Sequence, residues 1–490
     1  MNVVFSPAAV SSPAARGVQR AVQSQGFGRF ALLFFAALIT AGCAGPLVPY
    51  QRPAAPVAAQ YADTPAAKTA DPDGRPAARL GWRNYFSDPA LQQLIETALA
   101  GNRDLKIATF AVEQAIAQLG LREADRLPAV GVGIAGSSAP QPNGTALRSI
   151  SSGLQLSAWE LDFFGRLASL SDAARAQVLA SEESAHAARL ALVAAVASSW
   201  LNLIADEEQL ALTNQTLESR LESLRLTRLR FDNGAASELD FRLAQSLTEG
   251  ARAVRAQQER QRSLDRNALG LLVGSPGAPP PTLATSRLAD ITLTPLPAGL
   301  PSDLITARPD IRAAEQQLIA AKANIEAARV AFLPRISLTG AFGSVSRDLA
   351  SLFTGGSWGF TVAPALLQPI FSGGRYESTV RASQAARDIA LAQYERAIQT
   401  AFREVADALA GRQTLVDQLN AQSGVVDAEA ARLELARLRY ENGISSYLDL
   451  LDAQRSLFTA RQAVIQTRLQ LLQNQVLLYR ALGGGGLERS

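Results

Sequence analysis

LRFDNGAASELDFRLAQ at residues 229–245 returns as LRYENGISSYLDLLDAQ at residues 438–454. At an offset of 209, Leu229, Arg230, Asn233, Gly234, Leu239, Asp240, Ala244 and Gln245 recur as Leu438, Arg439, Asn442, Gly443, Leu448, Asp449, Ala453 and Gln454. Each copy closes a long helical run, turns at Asn-Gly and opens another. Gly is favoured where a helix ends in a left-handed residue. The serines that follow, Ser237 and Ser445, are candidate N-caps for the returning helix. Each copy therefore predicts the tip of a long helical hairpin, and the chain carries two.

The likeness extends outward. Asp104-Leu105 and Leu127-Pro128 recur as Asp310-Ile311 and Leu333-Pro334, at an offset of 206. Self-similarity at a fixed offset decides architecture before other signals do. Residues 85–275 and 303–486 are predicted to be two repeats, joined by a linker at 276–302 that holds part of GSPGAPPP. Residues 487–490 are a tail after the GGGG that ends the last helix.

The composition narrows the function. The formal net charge is +3, with 47 basic and 44 acidic residues. Arg16, Arg20 and Arg29 all precede residue 43, where no acid stands, so the rest of the chain balances at zero. No basic patch with interleaved aromatics suggests nucleic acid. The chain has one Cys, one Met and one His. A catalytic triad or a histidine metal site would have to use His186, which sits in an Ala-rich helical run. No Gly-rich phosphate loop follows a strand. These absences argue against an enzyme and imply no cofactor.

Residues 1–42 read as a signal peptide: a basic n-region, then the apolar FALLFFAALITA at 30–41, too short to span a membrane as a helix. Thr40-Ala41-Gly42-Cys43 is similar to a lipobox, with Thr40 where leucine is usual, and Cys43 is the expected lipidation site. Residues 43–84 are then a lipid-anchored extended segment, rich in Pro and Ala. Residues 44–80 within it reach on the order of 120 Å at ~3.3 Å per residue.

After a helical run over 89–127 the period changes from 3.6 to 2. Val130, Val132 and Ile134 alternate with Gly131, Gly133 and Ala135; Leu154, Leu156 and Ala158 alternate with Gln155, Ser157 and Trp159. The second half has Ile336, Leu338 and Phe342, then Trp358, Phe360 and Val362. Strands are expected at about 128–137, 150–161, 334–345 and 357–370. One face of each is apolar and the other small or polar, as in a membrane β-barrel. A soluble hairpin with one face on a core would show the same pattern. Long helical runs follow each strand pair, with tips at about 231–240 and 440–449. Leu450, Leu457, Val464, Leu471 and Leu478, flanked by Leu451, Phe458, Ile465, Leu472 and Tyr479, form two adjacent seams. Two seams suit a helix in the wall of a helical barrel, which has a neighbour on each side. Four membrane strands cannot close a barrel, and open edges in lipid leave backbone groups unpaired. Membrane strands would therefore require an oligomer, and three chains would supply twelve.

ARPDIRAAE (307–315), WELDFFGR (159–166), LFTARQ (457–462), the paired tips and the lipobox together resemble the TolC-like outer-membrane efflux proteins, in the OprM-like lipoprotein branch. The resemblance covers nearly all of residues 43–486. It implies a mostly α protein with a membrane β part: a trimeric twelve-strand β-barrel continued by a long α-helical barrel. It implies an exit duct of the bacterial outer membrane, reaching into the periplasm and passively conducting small toxic solutes such as drugs. Its partners would be a periplasmic adaptor (membrane fusion) protein, an inner-membrane resistance-nodulation-division pump, outer-membrane lipid and two further copies of the chain.

A polar stripe on the last long helix runs through Asp452, Arg455, Thr459, Gln462, Gln466 and Gln473, with Leu448 at its end, and suits a water-filled tunnel. The resemblance assigns Leu448, Asp452 and Arg455 to a periplasmic gate, with the charged pairs bridging neighbouring helices. Spacing alone would make Asp452 and Arg455 an ordinary surface pair. The tips, with Asn233, Gly234, Asp240, Asn442, Gly443 and Asp449, are where an adaptor would dock. The competing reading is a structural coiled-coil lipoprotein that spans the periplasm without conducting.

Overall fold

A computed structural model describes residues 50–58, 80–142, 144, 146–275, 287–296, 305–354 and 358–485. Cys43, the expected signal peptide and most of the expected extended segment lie outside them. The chain divides into Met1–Arg52 and Pro53–Ser490, and every element below belongs to the second unit. In chain order these are α1 (Trp82–Tyr85), α2 (Pro89–Gly101), α3 (Arg103–Ala124), β1 (Val130–Pro140), β2 (Ala146–Leu161), α4 (Arg166–Asp232), α5 (Glu238–Val273), a 3₁₀ turn (Leu288–Asp290), α6 (Pro309–Val330), β3 (Arg335–Ser346), β4 (Trp358–Leu367), α7 (Arg375–Glu441) and α8 (Tyr447–Ala481).

The strands form one antiparallel sheet in the order β1-β2-β3-β4. At one end of the sheet every strand joins a helix, α3 before β1, α4 after β2, α6 before β3 and α7 after β4, and these helices keep the same neighbours: α3 packs on α4, α4 on α6, and α6 on α7. Further from the sheet the order is α5, α4, α8, α7. The two long helices, of 67 residues each, run about 100 Å at ~1.5 Å per residue. The shorter ones stack end to end beside them. The Asn102 side chain caps α3 through the Leu105 N–H at 2.9 Å and donates to Leu272 O at the end of α5 at 2.9 Å. At the matching place in the second half, Arg308 before α6 donates to Ala481 O at the end of α8 at 3.0 Å. The helix expected over 89–127 is thus broken at Gly101-Asn102, because the amide is needed as a cap there.

Register places the apolar residues on one continuous face. Val132 lies opposite Leu154, Leu154 opposite Phe342, and Phe342 opposite Phe360. One pair along, Val130, Leu156, Gly340 and Val362 are in line. Directly opposed residues share a face. The other face carries Gly133, Gly153, Gly343 and Gly359, then Ala135, Ser151 and Val345. Gly153 and Gly343 are opposed so closely that a Cβ on either would strike the partner's backbone, which is why both are Gly.

The apolar and polar alternation expected through Trp159 is interrupted. β2 has an extra residue between Leu156 and Trp159, and Trp159 pairs with Leu338. This bulge shifts the parity, so Trp159 joins the apolar face, while Ala158 takes φ 39°. The Trp159 indole N–H donates to Arg126 O at 3.0 Å. The observed strands also differ in extent from the expected ones: 130–140, 146–161, 335–346 and 358–367. β2 begins four residues early because the β1–β2 ladder runs on to Pro140 and Ala146.

The remaining motifs of the sequence are joints. In WELDFFGR, Glu160 and Arg166 form a two-pronged ion pair at 2.9 and 2.7 Å, and the Asp162 carboxylate accepts from the Ala168 N–H at 2.7 Å. They fix the angle at which β2 becomes α4. In ARPDIRAAE, buried Arg308 pairs with Asp310 at 2.6 Å and with Glu404 of α7 at 2.8 Å. The segment 276–302 is not a free linker throughout. Leu288, Leu293 and Leu296 are buried, Leu293 bridges Phe86, and Arg412 donates to Leu296 O at 3.1 Å. Three leucines in a short run carry too little periodicity to announce a packed strap.

Candidate functional site at the hairpin tips

Both tips are built the same way from their own residues. Gly234 and Gly443 each have φ 71°, a left-handed value that a Cβ would strain. Asn233 Nδ2 donates to Leu229 O at 2.7 Å, and Asn442 Nδ2 to Leu438 O at 2.7 Å. Asp240 closes a capping box with Ser237, and Asp449 one with Ser446. The cap of α8 is therefore Ser446 and not Ser445. The repeat had pointed there, since 237 plus the offset of 209 is 446. Four of the six tip residues thus have side chains engaged in closing the turn. What the tips present outward is apolar: Leu239, Ile444 and Leu448 are all at least 60% exposed.

Behind the tips the two hairpins are bound to each other. Ala244, Tyr447, Leu450 and Leu451 are buried together, with Leu224, Leu243, Leu247, Leu433 and Tyr440 around them. Polar contacts cross at the same level. The Tyr447 hydroxyl meets Ser223 Oγ at 2.6 Å, and Arg230 Nη1 donates to the Tyr440 hydroxyl at 2.7 Å. Tyr440 and Tyr447 have ring centroids 5.3 Å apart. The first tip holds a stacked pair, Phe231 and Phe241, at 5.5 Å. Its long side chains Arg228 and Arg242 lie over the Phe241 ring.

Asp452 sits at the centre of a three-residue ion cluster. Arg455 Nη2 donates to it at 2.7 Å from the next turn of α8, and Arg432 Nη2 donates at 2.6 Å from α7. Arg432 also pairs with Glu429 at 3.1 Å. The guanidinium of Arg432 is the main cause that holds the Asp452 carboxyl below its ordinary value. The bond between helices therefore runs through Arg432, while Asp452–Arg455 lies within one helix. Arg432 escaped sequence reasoning. It stands 10 residues before Asn442, and Asp452 stands 9 after Gly443. Counting outward from a hairpin tip would have paired them.

The polar stripe of α8 is not open along its whole length. Thr459 and Gln466 are exposed. Gln473, however, is half-buried and donates to Asn202 Oδ1 of α4 at 2.7 Å, which makes it a helix-to-helix contact. His186 is exposed on α4.

Comparison with known proteins follows the same lines. The family model for outer membrane efflux proteins matches residues 94–275 and 300–484. The chain is 43% identical over 462 residues to the toluene efflux pump outer membrane protein TtgC of Pseudomonas putida, covering 93% of this chain and 95% of that one. It is equally similar, over the same shares, to the antibiotic efflux pump outer membrane protein ArpC of Pseudomonas putida. Among solved structures it resembles the open state of the MtrE outer membrane channel of Neisseria gonorrhoeae, with a TM-score of 0.80 and 37% identity. That likeness covers 89% of this chain and 97% of the other.

Proposed function

The chain belongs to the outer membrane efflux protein family, and from that membership we propose how it conducts. It is an outer-membrane channel for efflux and not an enzyme. The observation that carries the reading is the sheet with one continuous apolar face and two unpaired edges, β1 and β4. The apolar face meets lipid, and the face of Gly, Ser and Ala lines water. The edges pair between copies, and three chains give twelve strands, because lipid tolerates no open edge. The matching order of elements in residues 85–275 and 303–486 supports an internal duplication.

At one end of the sheet each strand joins one helix, and those helices pack in the same order as the strands, so the barrel continues as a helical tunnel into the periplasm. Its narrow end lies at the tips, with three copies of Leu448 and of the Asp452 cluster around one axis. An adaptor docks there on the apolar surface of Leu239, Ile444 and Leu448, while Asn233, Gly234, Asp240, Asn442, Gly443 and Asp449 hold its shape. An inner-membrane pump of the resistance-nodulation-division kind supplies the work, and the duct itself is passive. The names of its relatives suit small apolar solutes and antibiotics as cargo. Cys43 carries a lipid anchor, and mass spectrometry of the mature protein is expected to find it acylated. An unmodified N-terminus elsewhere refutes the anchor. Purified protein in planar bilayers should show discrete ohmic conductance, and a membrane-bound protein that never conducts would refute the duct.

A further inference from the structure

Arg220 of α4 is buried, with 9% of its surface exposed. Its Nη1 donates to Leu247 O at 2.9 Å, and its Nε has no hydrogen-bond partner among the described residues. The guanidinium lies 5.7 Å from the centre of the Phe458 ring of α8. It faces a cavity of about 220 Å³ between the two hairpins of one chain. A second guanidinium, Arg461 of α8, lines the same cavity together with Thr216, Ser219 and Gln454. No Asp or Glu lines it, and among the described residues neither arginine has an ion pair. A guanidinium keeps its charge under all ordinary conditions, and a buried charge without a counter-ion is unfavourable.

The acidic groups lie further on. A larger cavity of about 830 Å³ shares Arg461 and holds Glu207, Glu208 and Asp427 beside Arg287 and Arg468. Glu207 already pairs with Arg262 at 3.2 Å, and Glu208 accepts from the Leu288 N–H at 2.5 Å. Charges of both signs thus meet in the larger cavity, whereas the charged lining of the small one is cationic alone. Its volume is below the roughly 300–1,000 Å³ of sites for drug-sized ligands. One wall is the Phe458 ring, and the others offer hydroxyls, two amides and two forked donors that match a carboxylate.

We propose that this cavity binds a small carboxylate with an apolar edge, held between Arg220 and Arg461 and packed on Phe458. The group comes either from a dissolved organic acid or from an acidic side chain of a docked protein. The proposal rests on the cavity alone, so it stands or falls separately from conduction.

The test uses the full chain in mild detergent and follows its thermal unfolding. Benzoate probes the dissolved acid, N-acetylglutamate N-methylamide probes the side chain, and benzamide is the neutral control. At least one carboxylate is expected to raise the unfolding temperature in a saturable manner, with no effect from benzamide. Arg461→Gln, which is half-exposed and spares the fold, should weaken the response by roughly tenfold or more. Arg220→Gln should do the same where it folds. Tighter binding of benzoate assigns a dissolved acid, and tighter binding of the glutamate mimic assigns a protein side chain. No shift from either carboxylate overturns the proposal, as does a shift undiminished in Arg461→Gln.

Discussion

Asp452 shows how much one contact decides at the scale of a residue. Its bond to Arg432 ties α7 to α8 at 2.6 Å, whereas its bond to Arg455 stays within α8. If opening parts the helices near the tips, Arg432 and Asp452 resist it and Arg455 resists it less. Arg432→Gln and Asp452→Ala should therefore raise open probability alike in planar bilayers, and Arg455→Gln should raise it less. Both larger effects should shrink at high salt, where exposed pairs are screened. A larger effect from Arg455→Gln would move the bond that matters elsewhere. Leu448→Ala should raise conductance itself, by widening a dewetted constriction. Asp206 gives a second prediction, concerning pH. Burial, then the facing Asp265 and nearby Glu207, push its carboxyl up from 3.8 to about 7, against the pull of Arg262. Between those values the unfolded chain has lost a proton that the folded chain keeps. Stability from this group thus falls as pH rises from about 4 to about 7 and is level above. Asp206→Asn should raise the unfolding temperature most above pH 7 and flatten the slope between. An unchanged pH profile would count against the shift.

At the scale of the element, the register of the sheet turns an alternating pattern into two distinct surfaces. Phe360 and Thr361 are neighbours in β4, yet Phe360 aligns with Phe342, Leu154 and Val132 while Thr361 aligns with Ala341 and Gln155. A Lys facing the middle of a bilayer costs about 2–4 kcal/mol, and one facing a water-filled lumen far less. Phe360→Lys should therefore reduce the amount of heat-modifiable oligomer in outer-membrane fractions, and Thr361→Lys should not. The reverse result would turn the barrel inside out. The bulge before Trp159 belongs to the same argument, since it returns a large indole to the apolar face at the end nearest α4.

For the whole molecule, the question is what closes the structure. The chain supplies four strands and leaves the outer edges of β1 and β4 unpaired. It also leaves Val132, Ile134, Phe360, Ile370 and Phe371 at least 70% exposed. Such a surface suits lipid and copies of the same chain far better than water. Light scattering of protein in mild detergent should give three times the mass of the mature chain, from Cys43 onward, after the detergent is subtracted. A folded monomer would contradict closure between copies.

The sequence by itself determined the elements and their order. Paired Asn-Gly tips, seams repeating every seven residues and strands of period 2 are local signals, because caps, helix faces and pleats are set by residues a few positions apart. It also placed Asp452 and Arg455 on one stripe of α8. It did not bring Arg432 to Asp452, Ser223 to Tyr447 or Arg230 to Tyr440, since those pairs are made by one helix packing on another. It hid the bulge at Ala158, where a single extra residue reverses every later side chain, and the buried leucines at 288, 293 and 296, too few to show a period. Only the tertiary structure decided which face of each strand is continuous with its neighbour's. Register is a relation between strands, and no single strand contains it.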